Sequence, residues 1–240
     1  MPARTAVILL AAGEGRRVGA VTNKVLLPLA GIPVFAWSLR SIVAMSSTTR
    51  VVMVIREEDR GPVERAIATH FPGLDATVVV GGRTRHASEW NALTVLADAI
   101  DADEVGVVAI HDAARPLADA DLFDAVVRQA AESGGALPVR EQPALIPHAV
   151  SPPRKRSLVS VQTPQAFRAR PLLAAYREAE REGFVGTDTA SCVERYTDLE
   201  IRCVPSPATN LKITFPEDVA LAARLIAGLT PPGDRAASTP

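Results

Sequence analysis

Four short runs rich in valine and isoleucine, residues 6–10, 51–55, 76–80 and 105–110, alternate with longer stretches whose apolar residues recur at helical spacing, 34–45, 59–70 and 86–99. Apolar runs of that length without polar alternation read as strands covered on both faces. Their alternation with helices predicts parallel β–α–β units, whose right-handed crossovers leave ligand sites at the carboxyl ends of the strands. The chain is therefore expected to form an α/β, Rossmann-like, doubly wound and mostly parallel sheet.

The second half is less regular. Helices are expected at 119–133, 171–182 and 188–196, a strand at 201–204, and a helix at 216–227 with proline in its first turn. Between them Pro143, Pro147, Pro152 and Pro153 break up a stretch that ends in Arg154-Lys155-Arg156. Proline at that density suits an extended arm over about 139–160 or a long surface loop better than a central strand or helix. The expected organisation is one domain over 1–228 carrying this arm, and a disordered tail at 229–240 rich in Pro, Ala, Ser and Thr.

Composition removes several functional classes. With 26 basic against 27 acidic residues the formal charge is −1, so a nucleic-acid-coating surface is not expected and any cationic site must be local. Two cysteines, Cys192 and Cys203, lie far from any C-x-x-C spacing and are too few for a disulfide framework, which points to the cytoplasm. No apolar run approaches the ~18 residues of a membrane span.

The first strand runs straight into Ala11-Ala12-Gly13-Glu14-Gly15-Arg16-Arg17, with Lys24 a few residues on. A glycine-rich loop at a strand end folds its N–H groups around an anion, and the added cations point to a polyphosphate. The loop is not a dinucleotide fingerprint, because Val18 stands where the third glycine belongs, and no P-loop pattern occurs. Arg17 and Lys24 are the candidates to neutralise charge that grows on a transferring phosphorus. A turn with solvated basic residues is the plainer alternative.

Two further polar clusters fall at strand ends on the same edge. Gly81-Gly82 precedes a helix whose start, near Ser88, can present N–H groups to a base or a phosphate, or Ser88 simply caps it. His111-Asp112-Ala113-Ala114-Arg115-Pro116 supplies Asp112, a hard oxygen ligand suited to Mg²⁺ or a sugar hydroxyl, or else a cap for the following turn. Arg115 can clamp a phosphate or pair with a surface carboxylate, and His111 has no nucleophile nearby to activate. Thr187-Asp188 reads equally as a helix cap or a ligand group. Lys212, flanked by Leu211 and Ile213 in a strand-like segment, points to the opposite side from both, into solvent or into the polar edge.

Taken in order, six segments resemble the 2-C-methyl-D-erythritol 4-phosphate cytidylyltransferase family, from residue 6 to about 227: the loop from Ala11 to Arg17 with Lys24, Gly81-Gly82 with Arg85 and Ser88, His111 to Pro116, Gln162-Thr163-Pro164-Gln165-Ala166-Phe167, Thr187-Asp188, and Asn210 to Thr214. The resemblance implies a nucleotidyltransferase that joins CTP to a polyol phosphate, with Mg²⁺ bridging phosphate oxygens and an arm that makes a homodimer. It implies that Ala11, Ala12, Gly13, Gly15, Arg17 and Lys24 wrap the triphosphate, with Arg17 and Lys24 on the α-phosphate and Lys212 also catalytic. Gly82 and Ser88 would read the cytosine. Asp112, Arg115, Thr163, Thr187 and an arm residue, Lys155 among Arg154, Lys155 and Arg156, would hold the polyol phosphate or the ribose.

The chain departs from the family pattern in two places. Pro138-Val139-Arg140 is followed by Glu141-Gln142-Pro143, without the family's Asp-Thr pair, and Asn23 stands where a proline commonly precedes the loop lysine. The nucleotide half is unaffected, while the second substrate stays open between methylerythritol phosphate and another polyol phosphate such as ribitol 5-phosphate. A nucleotide-binding paralogue without turnover is the third reading, and the retention of Arg17, Lys24, Asp112 and Lys212 argues against it.

Overall fold

The computed structural model describes residues 4–13, 23–142 and 158–229. In chain order they form β1 (Thr5–Leu10), the short hairpin β2 (Pro28–Leu29) and β3 (Ile32–Pro33), α1 (Val34–Ala44), β4 (Thr48–Ile55), α2 (Arg60–His70), β5 (Ala76–Val80), α3 (Arg85–Asp101), β6 (Val107–Asp112) and α4 (Ala120–Ser133). There follow β7 (Gly134–Glu141), β8 (Val159–Val161), β9 (Gln165–Arg168), α5 (Ala169–Glu182), α6 (Thr189–Tyr196), β10 (Glu200–Pro205) and α7 (Pro216–Leu229).

The main sheet runs β10-β7-β9-β6-β1-β4-β5, with β8 paired to β7. β5, β4, β1 and β6 are parallel to one another, as are β7 and β10, while β9 lies antiparallel between β6 and β7. The two-residue period of a strand sends alternate side chains to opposite faces. Val7 and Leu9 of β1 join Phe35, Leu39 and Phe123 from α1 and α4, whereas Ala6 and Ile8 join Leu93, Leu172 and Tyr176 from α3 and α5. The runs 6–10, 51–55 and 107–110 are thus dry on both faces, whereas 76–80, expected to be covered likewise, forms β5 at the sheet edge and leaves Thr77 and Val80 exposed because no further strand flanks it. A third cluster seats α7 on β2 through Leu29, Ile213, Ala222 and Ile226.

Three sequence expectations shift. β6 runs on to Asp112 instead of stopping at residue 110, because its ladder with β1 continues to the pair Leu10 and Asp112. The segment 210–214 is not a strand; it crosses the strand ends and is held by single bonds described below. The arm stretch opens as a ribbon, since Val139–Glu141 of β7 pair antiparallel with β8, and residues 143–157 lie outside the described residues, as does 230–240 of the expected tail.

Pro138 sits within β7, where a proline would ordinarily break the ladder. Its carbonyl accepts from the Gln162 N–H at 2.9 Å, so the missing N–H faces the same side, at the junction between β8 and β9 where the pairing is already interrupted. α4 turns into β7 with no intervening loop. Gly134 makes this possible with φ of +118°, a backbone conformation that a side chain would resist.

Candidate active site

The parallel registers bring the carboxyl ends of β1, β4, β5 and β6 level. Ala11 N–H donates to Val54 O, Gly81 N–H to Ile55 O and Ala113 N–H to Leu10 O, so the ladder extends one step into each loop. Above these ends lies a cleft of about 860 Å³, large enough for a nucleoside triphosphate. Lys24, Arg56, Arg83, Arg85 and Lys212 line it together with one carboxylate, Asp112. The positive charge that the whole chain lacks is concentrated here.

Ala11, Ala12 and Gly13 form one wall, and Gly15 and Arg17 lie outside the described residues. Lys24 stands on a 3-10 turn and its Nζ donates to Ile213 O at 2.9 Å. The residue before it explains the turn's fixed position. Asn23 is 2 % exposed, and its amide donates to Ala11 O at 2.9 Å and to Asp59 at 2.7 Å. Asp59 in turn receives Arg56 through two bonds of 2.7 and 2.9 Å, so one buried amide ties the glycine-rich loop, the lysine turn and a cleft arginine together. A proline at 23 would lack that amide.

Across the cleft, Gly82 N–H donates to Ser88 Oγ at 3.0 Å, and Ser88 Oγ donates to Thr84 O at 2.9 Å. A Cβ on Gly82 would collide with the Cβ of Ala87, so only glycine lets this loop lie on the first turn of α3. The cap is Thr84, which accepts from Ala87 N–H at 3.0 Å; Ser88 lies in the first turns of α3 and lines the cleft.

Asp112 occupies the centre. Its Oδ1 lies 2.5 Å from Arg85 Nη1 and its Oδ2 2.7 Å from Lys212 Nζ, with Arg115 Nε at 3.9 Å. Burial alone would raise this carboxyl, but Arg85 and Lys212 outweigh it and hold Asp112 well below the usual carboxylate range. Burial likewise opposes the charge on Arg85, and Asp112 and Glu89 overcome it so that its pKa rises.

Behind Asp112 the hydrogen bonds assign a tautomer. Asp112 N–H donates to Thr163 Oγ1 at 3.0 Å, and His111 Nε2 lies 3.2 Å from Arg115 O. A carbonyl only accepts, so Nε2 carries the proton and Nδ1 accepts from the Thr163 hydroxyl at 3.2 Å. Burial pushes His111 down to about 4, in keeping with a neutral ring.

The segment 210–214 closes the cleft. Arg115 Nη1 donates to Asn210 O at 3.0 Å, Asn210 donates to Gln162, Thr163 and Ser206, and Ile213 N–H donates to Ala114 O at 2.8 Å. Ile213 is buried, which turns Lys212 the other way, onto Asp112.

Of the sequence candidates, Ala11, Ala12, Gly13, Lys24, Gly82, Ser88, Asp112 and Lys212 therefore line one cleft. Arg115 and Thr163 do not; they brace Asp112 and the closing segment from behind, and Thr163 is 4 % exposed. Thr187 is exposed at the start of α6 and also does not line the cleft, and its neighbour Asp188 forms a capping box with Ser191. Lys155 lies outside the described residues. Arg56 and Arg83 were not singled out from sequence, and Arg85 was noted only within a motif; their position one to five residues past a strand end was the available signal.

Among the described residues no group of three or more His, Cys, Asp or Glu is placed to hold a metal. One carboxylate, already engaged by two cations, fits a Mg²⁺ that arrives on phosphate oxygens and keeps its waters, and does not fit a protein cage. No described helix is long and apolar enough to cross a membrane.

The sequence model of the 2-C-methyl-D-erythritol 4-phosphate cytidylyltransferase family (IspD) matches residues 5–227. The chain belongs to this family. Relatives carrying the family's name include one from Solibacter usitatus, 37% identical over 235 residues and covering 91% of this chain and 94% of the relative, and one from Bacillus pumilus, 34% identical with 90% and 94% covered. Among solved structures, the cytidylyltransferase of Thermus thermophilus has a TM-score of 0.66 at 26% identity, covering 95% of this chain and 100% of its own. A 4-diphosphocytidyl-2C-methyl-D-erythritol synthase from Anaerococcus prevotii has a TM-score of 0.77 at 23% identity, covering 93% and 96%, and shows the fold. The cytidylyltransferase family thus accounts for the whole described sheet and for the motifs that line the cleft.

Proposed function

We propose that this chain transfers the cytidylyl group of CTP to 2-C-methyl-D-erythritol 4-phosphate and releases pyrophosphate. The observation that carries the reading is the cleft at the parallel strand ends, which among the described residues is lined by Lys24, Arg56, Arg83, Arg85 and Lys212 together with Asp112. An oxygen of the polyol phosphate attacks the α-phosphorus in line, the bond from that phosphorus to the β-phosphate oxygen breaks, and pyrophosphate leaves with its electron pair.

No side chain forms a covalent bond in this scheme. Lys24, with Arg17, neutralises charge on the α-phosphate as it grows, and Lys212 moves from Asp112 toward the incoming phosphate. The backbone of residues 11–13 and the first turn of α3 fix the triphosphate and base, which supplies the orientation that an in-line displacement needs. Asp112 receives a sugar hydroxyl or one ligand position of Mg²⁺. Asp112 is the residue that would hold a Mg²⁺ arriving with the triphosphate, and the metal would supply positive charge beside the phosphates.

A homodimer joined through the arm is part of the same reading. It is supported by the exposed apolar residues Leu158, Val159 and Val161 at the base of the ribbon. A cytoplasmic location accords with the unpaired cysteines Cys192 and Cys203.

Pyrophosphate release measured with CTP and a panel of polyol phosphates, with and without Mg²⁺, tests the reaction. Turnover is expected with methylerythritol phosphate and Mg²⁺. Preference for ribitol 5-phosphate would move the chain to another cytidylyltransferase, and CTP binding with no turnover on any acceptor would make it a binding protein.

A further inference from the structure

Below the cleft floor, α3, α5 and α6 meet around a carboxylate that no motif includes. Glu89 stands one turn after Arg85 on α3 and is 0% exposed. Its Oε1 accepts from the Thr189 hydroxyl at 3.0 Å and lies 2.8 Å from Arg85 Nε; its Oε2 accepts from the Tyr176 hydroxyl. Thr189 and Tyr176 are equally buried, so three helices are committed to holding one acid still.

A buried acid of this kind is a poor way to gain stability. Burial pushes Glu89 up, opposed first by Arg85 and then by the Tyr176 and Thr189 hydroxyls; packed apolar groups in place of a buried acid are often neutral or better for stability, so the retained acid calls for a use. The partner supplies it: Arg85 Nε forms an ion pair with Glu89 Oε1 at 2.8 Å, a charge contact without hydrogen-bond alignment, while its Nη1 donates to Asp112 Oδ1. Besides Arg115, whose Nε stays 3.9 Å away, Asp112 has one further cation at hydrogen-bond distance, Lys212, and Arg85 and Lys212 differ in freedom. The Lys212 side chain is 39% exposed and sits on the closing segment, whereas Arg85 is 27% exposed and anchored.

We propose that Glu89 is a positioning residue that pins Arg85 onto Asp112, so that Asp112 stays paired when substrate phosphate draws Lys212 away. This rests on the transfer reaction proposed above. Without the pin, the Arg85 guanidinium is free to swing from Asp112 to the CTP phosphates. CTP would then bind more tightly in the ground state while Asp112 loses its fixed partner, and turnover falls.

The test compares wild type, Glu89→Gln, Arg85→Lys and the double variant in turnover, in CTP affinity by calorimetry and in thermal stability. Glutamine keeps one acceptor oxygen, for Thr189 or for Tyr176, and turns its NH2 to the other hydroxyl, while it removes the carboxyl group that faces Arg85 Nε. Glu89→Gln is expected to lower kcat by about tenfold and to tighten CTP binding by about threefold, and to do neither when Arg85 is already lysine. CTP affinity that is unchanged or weaker in Glu89→Gln, or effects that multiply in the double variant, would overturn the proposal. Should Glu89→Gln not fold, Tyr176→Phe and Thr189→Val each remove one bond to Glu89 and are expected to shift kcat and CTP affinity in the same opposed senses; parallel losses in both would also overturn it. A wild type without turnover on methylerythritol phosphate refutes the reaction, while the CTP arm still decides the role of Glu89.

Discussion

At the residue scale the cleft is a problem of charge held in place. Lys24→Ala removes a cation from the proposed α-phosphate position while leaving Asn23 to anchor the turn. The expected loss is on the order of 10²–10³ in kcat with an unchanged circular dichroism spectrum, and near-normal turnover would remove Lys24 from the mechanism. His111 makes a pH-dependent contribution whose sign follows from its burial. The free imidazole titrates near 6.5 and the folded one at about 4, so between these values the unfolded chain holds the extra proton. The stabilisation is complete above about pH 6.5 and is lost as the pH falls toward 4, by on the order of 3 kcal/mol. Urea midpoints taken at pH 7.5 and pH 5 should therefore differ more for wild type than for His111→Gln, and equal slopes would contradict the assignment. Lys24, Asp112 and Lys212 were legible in sequence because each is a lone charged group beside an apolar strand or turn. Glu89 was not, because an acid in mid-helix reads as solvated until the helices that bury it are placed, and Thr189 lies 100 residues away.

At the element scale, the strands and helices that carry a strong period were readable, and the short pieces were not. β9 has four residues and gains its place from pairing on both sides with β6 and β7, which a local pattern does not contain. The hairpin of β2 and β3 is two residues a strand and is held by packing under α7. The segment 210–214 resembles a strand in composition yet makes scattered bonds to Ala114, Arg115, Gln162 and Thr163. Asp188, an ambiguous residue in sequence, serves the structure. It accepts from Ser191 N–H at 3.0 Å and from Gln165 Nε2 at 3.0 Å, tying α6 to β9. Asp188→Ala should cost about 1–2 kcal/mol in denaturant unfolding, and a change below a few tenths would show that the cap is redundant.

For the molecule as a whole, a formal charge of −1 coexists with a cationic cleft, so attraction of CTP is a local field that salt can screen. The KM for CTP is expected to rise several-fold between about 0.05 and 0.5 M salt, while an insensitive KM would mean that shape and hydrogen bonds dominate. Association through the ribbon is checked by sedimentation of the full chain, and replacing Val159 and Val161 by charged residues should give monomers. If the dimer persists, it is built elsewhere. The fold class was readable because alternation of strands and helices is a property of the whole chain, whereas the proposed association involves a second copy, which no pattern within one chain contains.

The closing segment has a consequence for the order in which the molecule comes into being. A ribosome delivers the glycine-rich wall, Asp112 and Arg85 early, and the strands that hold them are complete long before residue 212 is translated. Until then Asp112 lacks the lysine that faces it, and Lys24 lacks the Ile213 carbonyl to which it donates. The nascent chain therefore owns a formed sheet with an unfinished cleft, and competence arrives only when its C-terminal third folds back over the strand ends.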